Sequence, residues 1–471
     1  MTRVAVLGAG IAGLAAAYRL AQAGADVVVL EADARPGGLI RDVALDDLSL
    51  PAGPDAFVAR KPWATRLCRE LGVELVAPAA RGSWLWTGHG LVRYLHDTAF
   101  AIPGDPGSVL RWPGVSGAGR RRALLDLLKR ARKGEADETL GSLLRRRLGD
   151  EVTDRVLAPF LAGVFAGDVD RLSVHATFPE LAVWEATQGS LIRGAQAALR
   201  DARHSAEPGP MFVAPRDGMD RLPAALAERL GDRVRTTTPA EGLRRHGDRR
   251  WQVMTPLGPV EADAVVLAVP AAAARRLLEP VAREVSAEVE DLRAVSTGVA
   301  LLVYTQGTDE ALPGGAGFLV PSGAAPMTSC TWLSTKWPRD LYGTRAVLRC
   351  TIGADGDEDV LEAEDGEIVA ACERHLAALL PLPERAEAAR VVRWPGSMPQ
   401  YDLGHLQRVE RIRDRLPAGI FVCGQAFDGA GIAGCVRSAE ETALAVAGSF
   451  GLGGTAGTDG AAAPTDEETD R

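Results

Sequence analysis

The hydrophobic pattern at the start of the chain has the order strand, helix, strand. Residues 4–7 form a continuous apolar run, residues 11–23 an alanine-rich periodic stretch, and residues 26–30 a β-branched run. Short apolar runs bounded by glycine predict buried strands, and the longer periodic stretch predicts a helix. The chain therefore opens with a predicted βαβ unit.

A second unit of the same kind lies near the other end. Residues 420–423 predict a strand, four glycines follow between 424 and 434, and a helix is predicted from about Cys435. The pattern thus gives the chain a second glycine-rich helix N-terminus, far from the first in sequence.

The patterns between these two units are less regular. Residues 262–270 predict a buried strand, residues 294–353 alternate as antiparallel strands do, and residues 361–380 predict a long helix. Residues 157–181 are rich in glycine and phenylalanine, which is typical of either helix packing or a cavity wall.

Residues 394–405, WPGSMPQYDLGH, follow neither the helical nor the strand period. Their prolines and aromatic residues predict a rigid, nearly neutral loop. Two interpretations remain open: a stiff apolar wall over a flat cofactor, formed by Trp394, Pro399 and Tyr401, or a packed connector.

Residues 111–133 carry eight basic residues and one acidic residue, with leucines at helical spacing. This pattern predicts an amphipathic helix. Its basic face is a solvated surface, a peripheral contact with a membrane, or a patch that attracts a polyanionic substrate.

Composition narrows the class of protein. The 471 residues are 46% hydrophobic and 24% charged, as in soluble enzymes, and the net charge of −9 argues against nucleic acid as a partner. No apolar run reaches the roughly 18 residues that a membrane span needs. The first strand begins at once, which leaves no room for a signal peptide, and the six cysteines have no paired spacing. We therefore expect a cytoplasmic protein without a metal site.

The first glycine turn is the candidate ligand-binding site. Gly8, Gly10 and Gly13 form a G-x-G-x-x-G between the predicted strand and helix, where a pyrophosphate approaches the backbone and the helix N-terminus. Glu31 ends the second strand, where a carboxylate accepts from a ribose hydroxyl and repels a 2′-phosphate. The motif therefore predicts a dinucleotide site and disfavours NADP.

A second glycine motif follows Glu31. Residues 35–38 read R-x-G-G, whose glycines suit a second backbone approach and whose Arg35 either meets a phosphate or braces the turn. Plain NAD dehydrogenases have no need of this extension.

Eight longer segments resemble the flavin-dependent porphyrinogen oxidases of haem synthesis, a branch of the flavin amine-oxidase superfamily. The resemblance runs along nearly the whole length from 3 to 448, and the matching segments are GAGIAGLAAAYRL, EADARPGGLI, GPDAFVARKPWA, RRRLGDEV, PFLAGVFAGDVDRLSVHATFPEL, SCTWLSTKWP, RWPGSMPQYDLGH and GQAFDGAGIAGCVRSAEETA. The first two are shared across the superfamily, whereas the phenylalanine–glycine segment and the M-P-Q-Y-x-x-G-H loop are more particular to the family. Within it, the chain is most similar to the soluble Gram-positive coproporphyrinogen III oxidases.

The resemblance implies an α/β fold of mixed α+β character, with a Rossmann-like FAD-binding domain, a mixed-sheet substrate domain and an α-helical domain. The FAD-binding domain is expected in three parts, 1–80, 211–275 and 393–450. The helical domain is expected at 81–205, the substrate domain at 276–392 and a disordered tail at 451–471.

The implied activity is FAD-dependent, O₂-consuming oxidation of coproporphyrinogen III to coproporphyrin III, in three two-electron steps at flavin N5, with H₂O₂ as the second product. No side chain is expected to be catalytic and no metal is needed. The alternatives are protoporphyrinogen IX oxidation, a different flavin oxidase of the superfamily acting on amines or polyenes, and a flavin-binding regulator without turnover. Other enzymes of haem synthesis are possible partners.

The glycine turns and the resemblance together indicate the residues that contact FAD. They are Gly8, Ala9, Gly10, Ile11, Ala12, Gly13, Glu31, Ala32, Arg35, Gly38, Leu39, Gly53, Pro54, Asp55, Ala56, Ala240, Trp394, Gly424, Ala430, Gly431 and Ile432. Leu39 stands where relatives often have a lysine, and Ala99 roughly where membrane-bound relatives have an arginine for a substrate propionate. Lys61 matches a lysine at the substrate cavity of the soluble type, and Arg60 and Arg93 are further candidate propionate contacts.

Overall fold

The computed structural model describes residues 1–132, 136–204, 209–247 and 250–452. All but two residues of the tail predicted at 451–471 therefore lie outside the described residues. Two sheets, a parallel and a mixed one, organise the chain.

The parallel sheet has five strands and contains the first and the last strand of the described chain. Its strands, in spatial order, are Val234–Arg235, Asp26–Leu30, Arg3–Leu7, Ala264–Leu267 and Ile420–Val422. Adjacent side chains of a strand point to opposite faces, so Val4 and Val6 face one core while Ala5 and Leu7 face another. Both faces are covered, which explains why these strands are continuous apolar runs.

Different elements cover the two faces of the parallel sheet. On one face lie the N-terminal helix, Ile11–Gln22, the C-terminal helix, Gly431–Phe450, and helix Arg221–Leu230. The other face is covered by a three-stranded sheet and three helices, whose bounds are Gly242–His246, Arg250–Met254, Val260–Ala262, Ala271–Leu278, Arg283–Glu290 and His405–Arg415.

The mixed sheet has seven strands. In spatial order they are Ala388–Pro399, Ala294–Gln306, Arg345–Ile352, Ser329–Trp332, Gly317–Leu319, Trp84–Trp86 and Leu91–Arg93. Leu302 and Leu348 pack with helix Asp365–Ala377 on one face, whereas Val299 and Leu301 enter the core shared with the parallel sheet. The mixed sheet is therefore packed directly against the domain that contains the glycine turns.

The remaining elements form a helical region and several short strands. The helices are Pro62–Leu71, Pro106–Leu110, Gly117–Leu124, Leu140–Leu148, Asp150–Val152, Ala158–Leu161, Val174–Thr177, Pro179–Gln188, Leu191–His204 and Leu333–Lys336. The short strands are Asp42–Leu45, Leu48–Pro51, Phe57–Val58, Leu75–Val76, Thr98–Ala99, Ile102–Pro103 and Phe212–Pro215.

The predicted βαβ opening and the antiparallel strands within 294–353 are confirmed, but four element predictions are wrong in detail. The C-terminal helix begins at Gly431, not near Cys435. Tertiary packing against the N-terminal helix stabilises a glycine-rich first turn that propensity alone disfavours. The helix predicted at 361–380 is shorter, Asp365–Ala377, and a separate 3₁₀ turn precedes it.

The segment predicted as a loop at 394–405 begins as a strand. Residues up to Pro399 pair with Ala294–Gln306, and the register shifts between Val295 and Thr297. This irregularity accommodates residues 395–397, including Gly396 at φ 52°. An edge strand with a bulge tolerates prolines that an ideal strand excludes.

The basic segment 111–133 is not one amphipathic helix. It contains helix Gly117–Leu124 and a following 3₁₀ turn. Arg122 and Lys129 donate to backbone carbonyls at the end of helix Leu140–Leu148. Two of the eight basic residues therefore cap a neighbouring helix. The Leu128 side chain, by contrast, is 80% exposed.

The sheets cross the expected domain boundaries. Strands Trp84–Trp86 and Leu91–Arg93 belong to the mixed sheet, although 81–205 was expected to be helical, and strand Ala388–Pro399 continues past the expected boundary at 393. No helix in the described ranges combines the length and the apolar character needed to cross a bilayer.

A buried ion pair joins the elements of the helical region. The side chains of Arg147 and Asp126 are both fully buried, with Nε and Oδ1 2.5 Å apart. Asp126 also accepts from the Ser190 hydroxyl and the Ile192 backbone N–H, and Arg147 donates to the Gly189 carbonyl at 2.5 Å. Each charge is thus surrounded by protein partners in place of water.

We expect Arg147→Met to lower the free energy of unfolding by about 3–5 kcal/mol, because it leaves the Asp126 carboxylate buried without its partner. Urea unfolding followed by circular dichroism would measure the change. Arg200→Met, on the exposed face of helix Leu191–His204, is the matched control and should change stability by less than about 0.5 kcal/mol. Equal stability of the two variants would contradict the prediction.

Candidate functional site

The first glycine turn lies where strand Arg3–Leu7 meets the N-terminal helix. Gly8 has φ 96°, a backbone conformation that favours glycine. A Cβ atom on Gly13 would lie 1.9 Å from the carbonyl oxygen of Gly8, so only glycine allows the helix to start this close to the strand. These two glycines fix the backbone of the turn.

Gly10 has a different role in the same turn. It is the N-cap of the N-terminal helix, and a Cβ there would meet no protein atom within 4 Å. The space above the helix N-terminus is therefore open to another molecule. Gly38 packs against the opposite side of Gly10, where its Cβ would lie 3.3 Å from the Gly10 Cα.

Arg35 holds the loop that contains Gly37 and Gly38. Its guanidinium donates to the carbonyl oxygens of Pro36, Gly38 and Ile40 at 3.0, 2.8 and 3.2 Å. The arginine thereby holds Gly38 in contact with the first turn, which is one of the two roles that the sequence suggested.

Glu31 and the segment of Ala240 lie together beside the first turn. The Glu31 carboxylate accepts from the backbone N–H groups of Ala9 and Asp33 at 2.5 and 2.9 Å. Its carbonyl oxygen accepts from the Thr238 N–H at 2.7 Å, which brings the chain leading to Ala240 alongside. The oxygens of a carboxylate have lone pairs for further donors, so Glu31 is able to accept from a ligand hydroxyl as well.

The second glycine turn packs directly against the first. A Cβ on Gly424 would lie 3.1 Å from the Cβ of Ala12, in the first turn of the N-terminal helix. The Gly424 N–H donates to the Ser438 hydroxyl at 3.0 Å, and the Cys435 thiol donates to the Gly429 carbonyl at 2.8 Å. The two turns expected from the sequence therefore meet.

Two helix N-termini are consequently directed to one edge of the parallel sheet. The N-cap residues Gly10 and Ala430 have no side-chain acceptor, and in the described chain no side chain caps either helix. Gly431 is exposed, and a Cβ on it would meet no atom within 4 Å. Uncapped N–H groups and the positive ends of helix dipoles form a site suited to an anionic ligand.

The segment Gly53–Ala56 follows Ala52, whose N–H donates to the Arg41 carbonyl, and a Cβ on Gly53 would lie 1.9 Å from the Leu39 carbonyl oxygen, so the segment lies beside the second glycine motif. The mixed-sheet domain holds it in place. Trp394 Nε1 donates to the Ala52 carbonyl at 2.8 Å, and Arg349 donates to the Gly53 carbonyl at 2.6 Å. The Lys336 ammonium pairs with the Asp55 carboxylate at 2.5 Å. Burial alone would raise the pKa of Asp55, but Lys336 and Arg349 together hold that pKa below its usual range.

Residues 400–405 form a junction between the domains. The Gln400 side chain donates to the Phe165 carbonyl at 2.9 Å, and the Tyr401 hydroxyl donates to the Gln425 carbonyl at 2.7 Å. Tyr401 stacks on His405, whose Nε2 donates to the Phe427 carbonyl at 2.7 Å. Burial lowers the pKa of His405, so the ring is neutral at physiological pH. These contacts favour the connector interpretation for Tyr401.

The three candidate propionate contacts are not brought together by any described contact. Arg60 and Lys61 are exposed at the start of helix Pro62–Leu71, with Lys61 as its N-cap. Arg93 lies on the outermost strand of the mixed sheet, at the edge opposite Trp394, with its guanidinium over the Trp84 ring. Their contact with a substrate stays a prediction.

Sequence reasoning missed Lys336 and Arg349. The available signal was a lysine in the apolar stretch TWLSTKWP and an arginine inside the predicted strand AVLRCTIG. A charged residue in a buried strand requires a partner, but Asp55 and Gly53 are too distant in sequence to be identified as those partners. Among the described residues, no group of three His, Cys, Asp or Glu side chains could hold a metal.

This architecture defines a class of protein: an α/β nucleotide-binding fold with a second domain built on a mixed sheet. Residues 11–447 match the family described as flavin containing amine oxidoreductase. The chain therefore belongs to this family, and it is a flavin-dependent oxidoreductase.

Several relatives and one solved structure match the chain over nearly its whole length. Coproporphyrinogen III oxidase of Mycobacterium bovis is 32% identical over 464 residues, which cover 94% of this chain and 96% of the relative. The Bacillus subtilis enzyme of the same name is 29% identical over 454 residues, covering 92% and 95% of the two chains. The crystal structure of a candidate protoporphyrinogen oxidase from Exiguobacterium sp. 255-15 superposes with a TM-score of 0.85 at 29% identity, covering 94% and 98%. These similarities associate the chain with the porphyrinogen oxidases.

A more distant structure shares the fold alone. Wild-type putrescine oxidase bound to putrescine superposes with a TM-score of 0.71 at 21% identity, covering 95% of this chain and 99% of that one. The fold is thus shared with an oxidase whose name states a different substrate.

We expect Gly10→Ala to fold like the wild type and to bind flavin at least about tenfold more weakly (~1.4 kcal/mol). The added methyl group meets no protein atom within 4 Å but fills the open space at the helix N-terminus. Titration of the apoprotein with FAD, followed by flavin fluorescence, would measure the affinity.

Two glycine variants serve as controls for this titration. Gly448→Ala adds a methyl group at an open position of the C-terminal helix and should bind normally, whereas Gly13→Ala brings a methyl group 1.9 Å from a backbone oxygen and should lower stability. Wild-type affinity in Gly10→Ala would show that the open space is not the ligand site.

Proposed function

We propose that the protein oxidises coproporphyrinogen III to coproporphyrin III in haem biosynthesis, with FAD as cofactor, O₂ as electron acceptor and H₂O₂ as second product. The observation that carries the proposal is the meeting of two uncapped helix N-termini at one edge of the parallel sheet. The names of relatives that match over nearly the whole chain supply the substrate.

The residues present fit FAD. The turn around Gly10 offers backbone N–H groups and open space to a pyrophosphate, and Glu31 offers carboxylate oxygens to a ribose. The open position at Gly431 lies at the start of the C-terminal helix, whose positive end would stabilise negative charge on a reduced flavin ring. FAD, when bound, supplies the two-electron acceptor for each oxidation step.

The protein's own residues would mainly orient the two reactants. Trp394 and the segment Gly53–Ala56 are tied together by the bond from Trp394 Nε1 to Ala52, which makes a rigid wall for a flat ring. Holding a large substrate in a fixed orientation removes much of the entropic barrier to reaction. Little acid–base chemistry is required of a side chain, because the cofactor accepts the electrons.

The substrate carries four propionates, which favour basic residues at its entrance. Lys61 leads the candidates because it matches a lysine of the soluble family type, and its exposed side chain is free to meet an incoming carboxylate. Arg60 and Arg93 are weaker candidates. Contact of residues 111–133 with a membrane surface, and contact with other enzymes of haem synthesis, stay predictions.

The proposed location is the cytoplasm. All six cysteines are free and buried, which suits a reducing compartment.

Protoporphyrinogen IX oxidation is the second candidate. It is favoured by the name of the Exiguobacterium structure and by a chloroplastic protoporphyrinogen oxidase of Oryza sativa that is 29% identical over 475 residues. The two activities differ in how many carboxylates the substrate carries, so substrate preference separates them.

We expect the purified, FAD-loaded protein to form porphyrin from coproporphyrinogen III at least about tenfold more efficiently than from protoporphyrinogen IX, a difference of ~1.4 kcal/mol in transition-state stabilisation. Porphyrin fluorescence under air would give kcat/KM for both substrates, and the apoprotein would be the control. Equal or reversed preference would contradict the choice of substrate, and inactivity with both would contradict the proposed function.

A further inference from the structure

Two partly buried cations from the mixed-sheet domain contact the segment Gly53–Ala56. Lys336, at the end of helix Leu333–Lys336, pairs with Asp55, and their side chains are 13% and 16% exposed. Arg349, on strand Arg345–Ile352, donates to the Gly53 carbonyl at 2.6 Å and to the Thr351 hydroxyl at 3.2 Å. The contacts with Asp55 and Gly53 join residues 281 and 296 positions apart in sequence.

This cluster contains more positive than negative charge. One carboxylate, Asp55, faces two cations, and Arg349 Nε is buried without a hydrogen-bond partner among the described residues. Lys336 also lies over the Trp337 ring, with Nζ 5.2 Å from the ring centroid. Water is largely excluded from these groups, so their excess positive charge is weakly screened.

We propose that Lys336 and Arg349 are positioning residues that hold Gly53–Ala56 against the flavin and, through their excess positive charge, raise its reduction potential. The inference rests on the proposed function, in which this segment faces the flavin. A reduced flavin is more negative than an oxidised one, so a nearby net positive charge stabilises the reduced form.

Neutralising a cation and neutralising the carboxylate should shift the reduction potential of the flavin in opposite directions. Lys336→Met removes one cation and should shift the ratio of reduced to oxidised flavin at fixed potential at least about tenfold towards the oxidised form, which is about 30 mV for a two-electron couple. Asp55→Asn removes the carboxylate and should shift the ratio towards the reduced form. The double variant should lie between the two.

The measurement is equilibrium reduction of the FAD-loaded protein against a redox dye, with FAD content determined for each variant. Arg216→Met removes an exposed ion pair with Asp340 and should leave the potential unchanged. Lys336→Arg keeps the charge and should keep the potential close to that of the wild type. If Lys336→Met is purified without FAD, the direction of the shift in Asp55→Asn decides.

The outcomes separate this inference from the proposed function. Shifts of Lys336→Met and Asp55→Asn in the same direction, or no shift in either FAD-loaded variant, would overturn the inference while wild-type turnover of coproporphyrinogen III leaves the proposed function intact. A wild-type protein that takes up no FAD would overturn both.

Discussion

The parallel alignment of three strands is the constraint on which the rest of the site depends. Strand Arg3–Leu7 pairs with Ala264–Leu267, which pairs with Ile420–Val422, all in the same direction. Parallel strands end at the same edge, so the helices that follow the first and last of them start side by side. The two turns are in contact at Ala12 and Gly424. A larger residue at either position would push the two helix N-termini apart.

The mixed sheet completes the site from outside the nucleotide-binding domain. Trp394, Arg349 and Lys336 all belong to its strands or to the helix that follows one of them, and each contacts residues 52–55. The wall expected to face the flavin is therefore part of an interface between two domains. Substitutions in either domain would therefore act on the position of this segment.

The parts of the molecule that sequence reasoning predicted are those with local causes. Gly8, Gly10 and Gly13 lie within six residues, and their spacing alone predicts the turn. The bulged strand at 394–399 was missed because its pairing partner, Ala294–Gln306, is about a hundred residues away. The ion pair of Lys336 with Asp55 was missed for the same reason, since 281 residues separate them. Local patterns cannot identify a partner that only the tertiary fold supplies.

The junction at residues 400–405 favours the connector interpretation for the second half of its segment. Gln400, Tyr401 and His405 are buried, and their side chains donate to the carbonyls of Phe165, Gln425 and Phe427, as in a packed connector. Asp402 adds an ion pair with Arg293, which also pairs with Asp355 on the mixed-sheet side. Breaking one contact would therefore strain several others. The segment works as a fixed joint, and the wall that contains Trp394 is rigid because it continues into this joint.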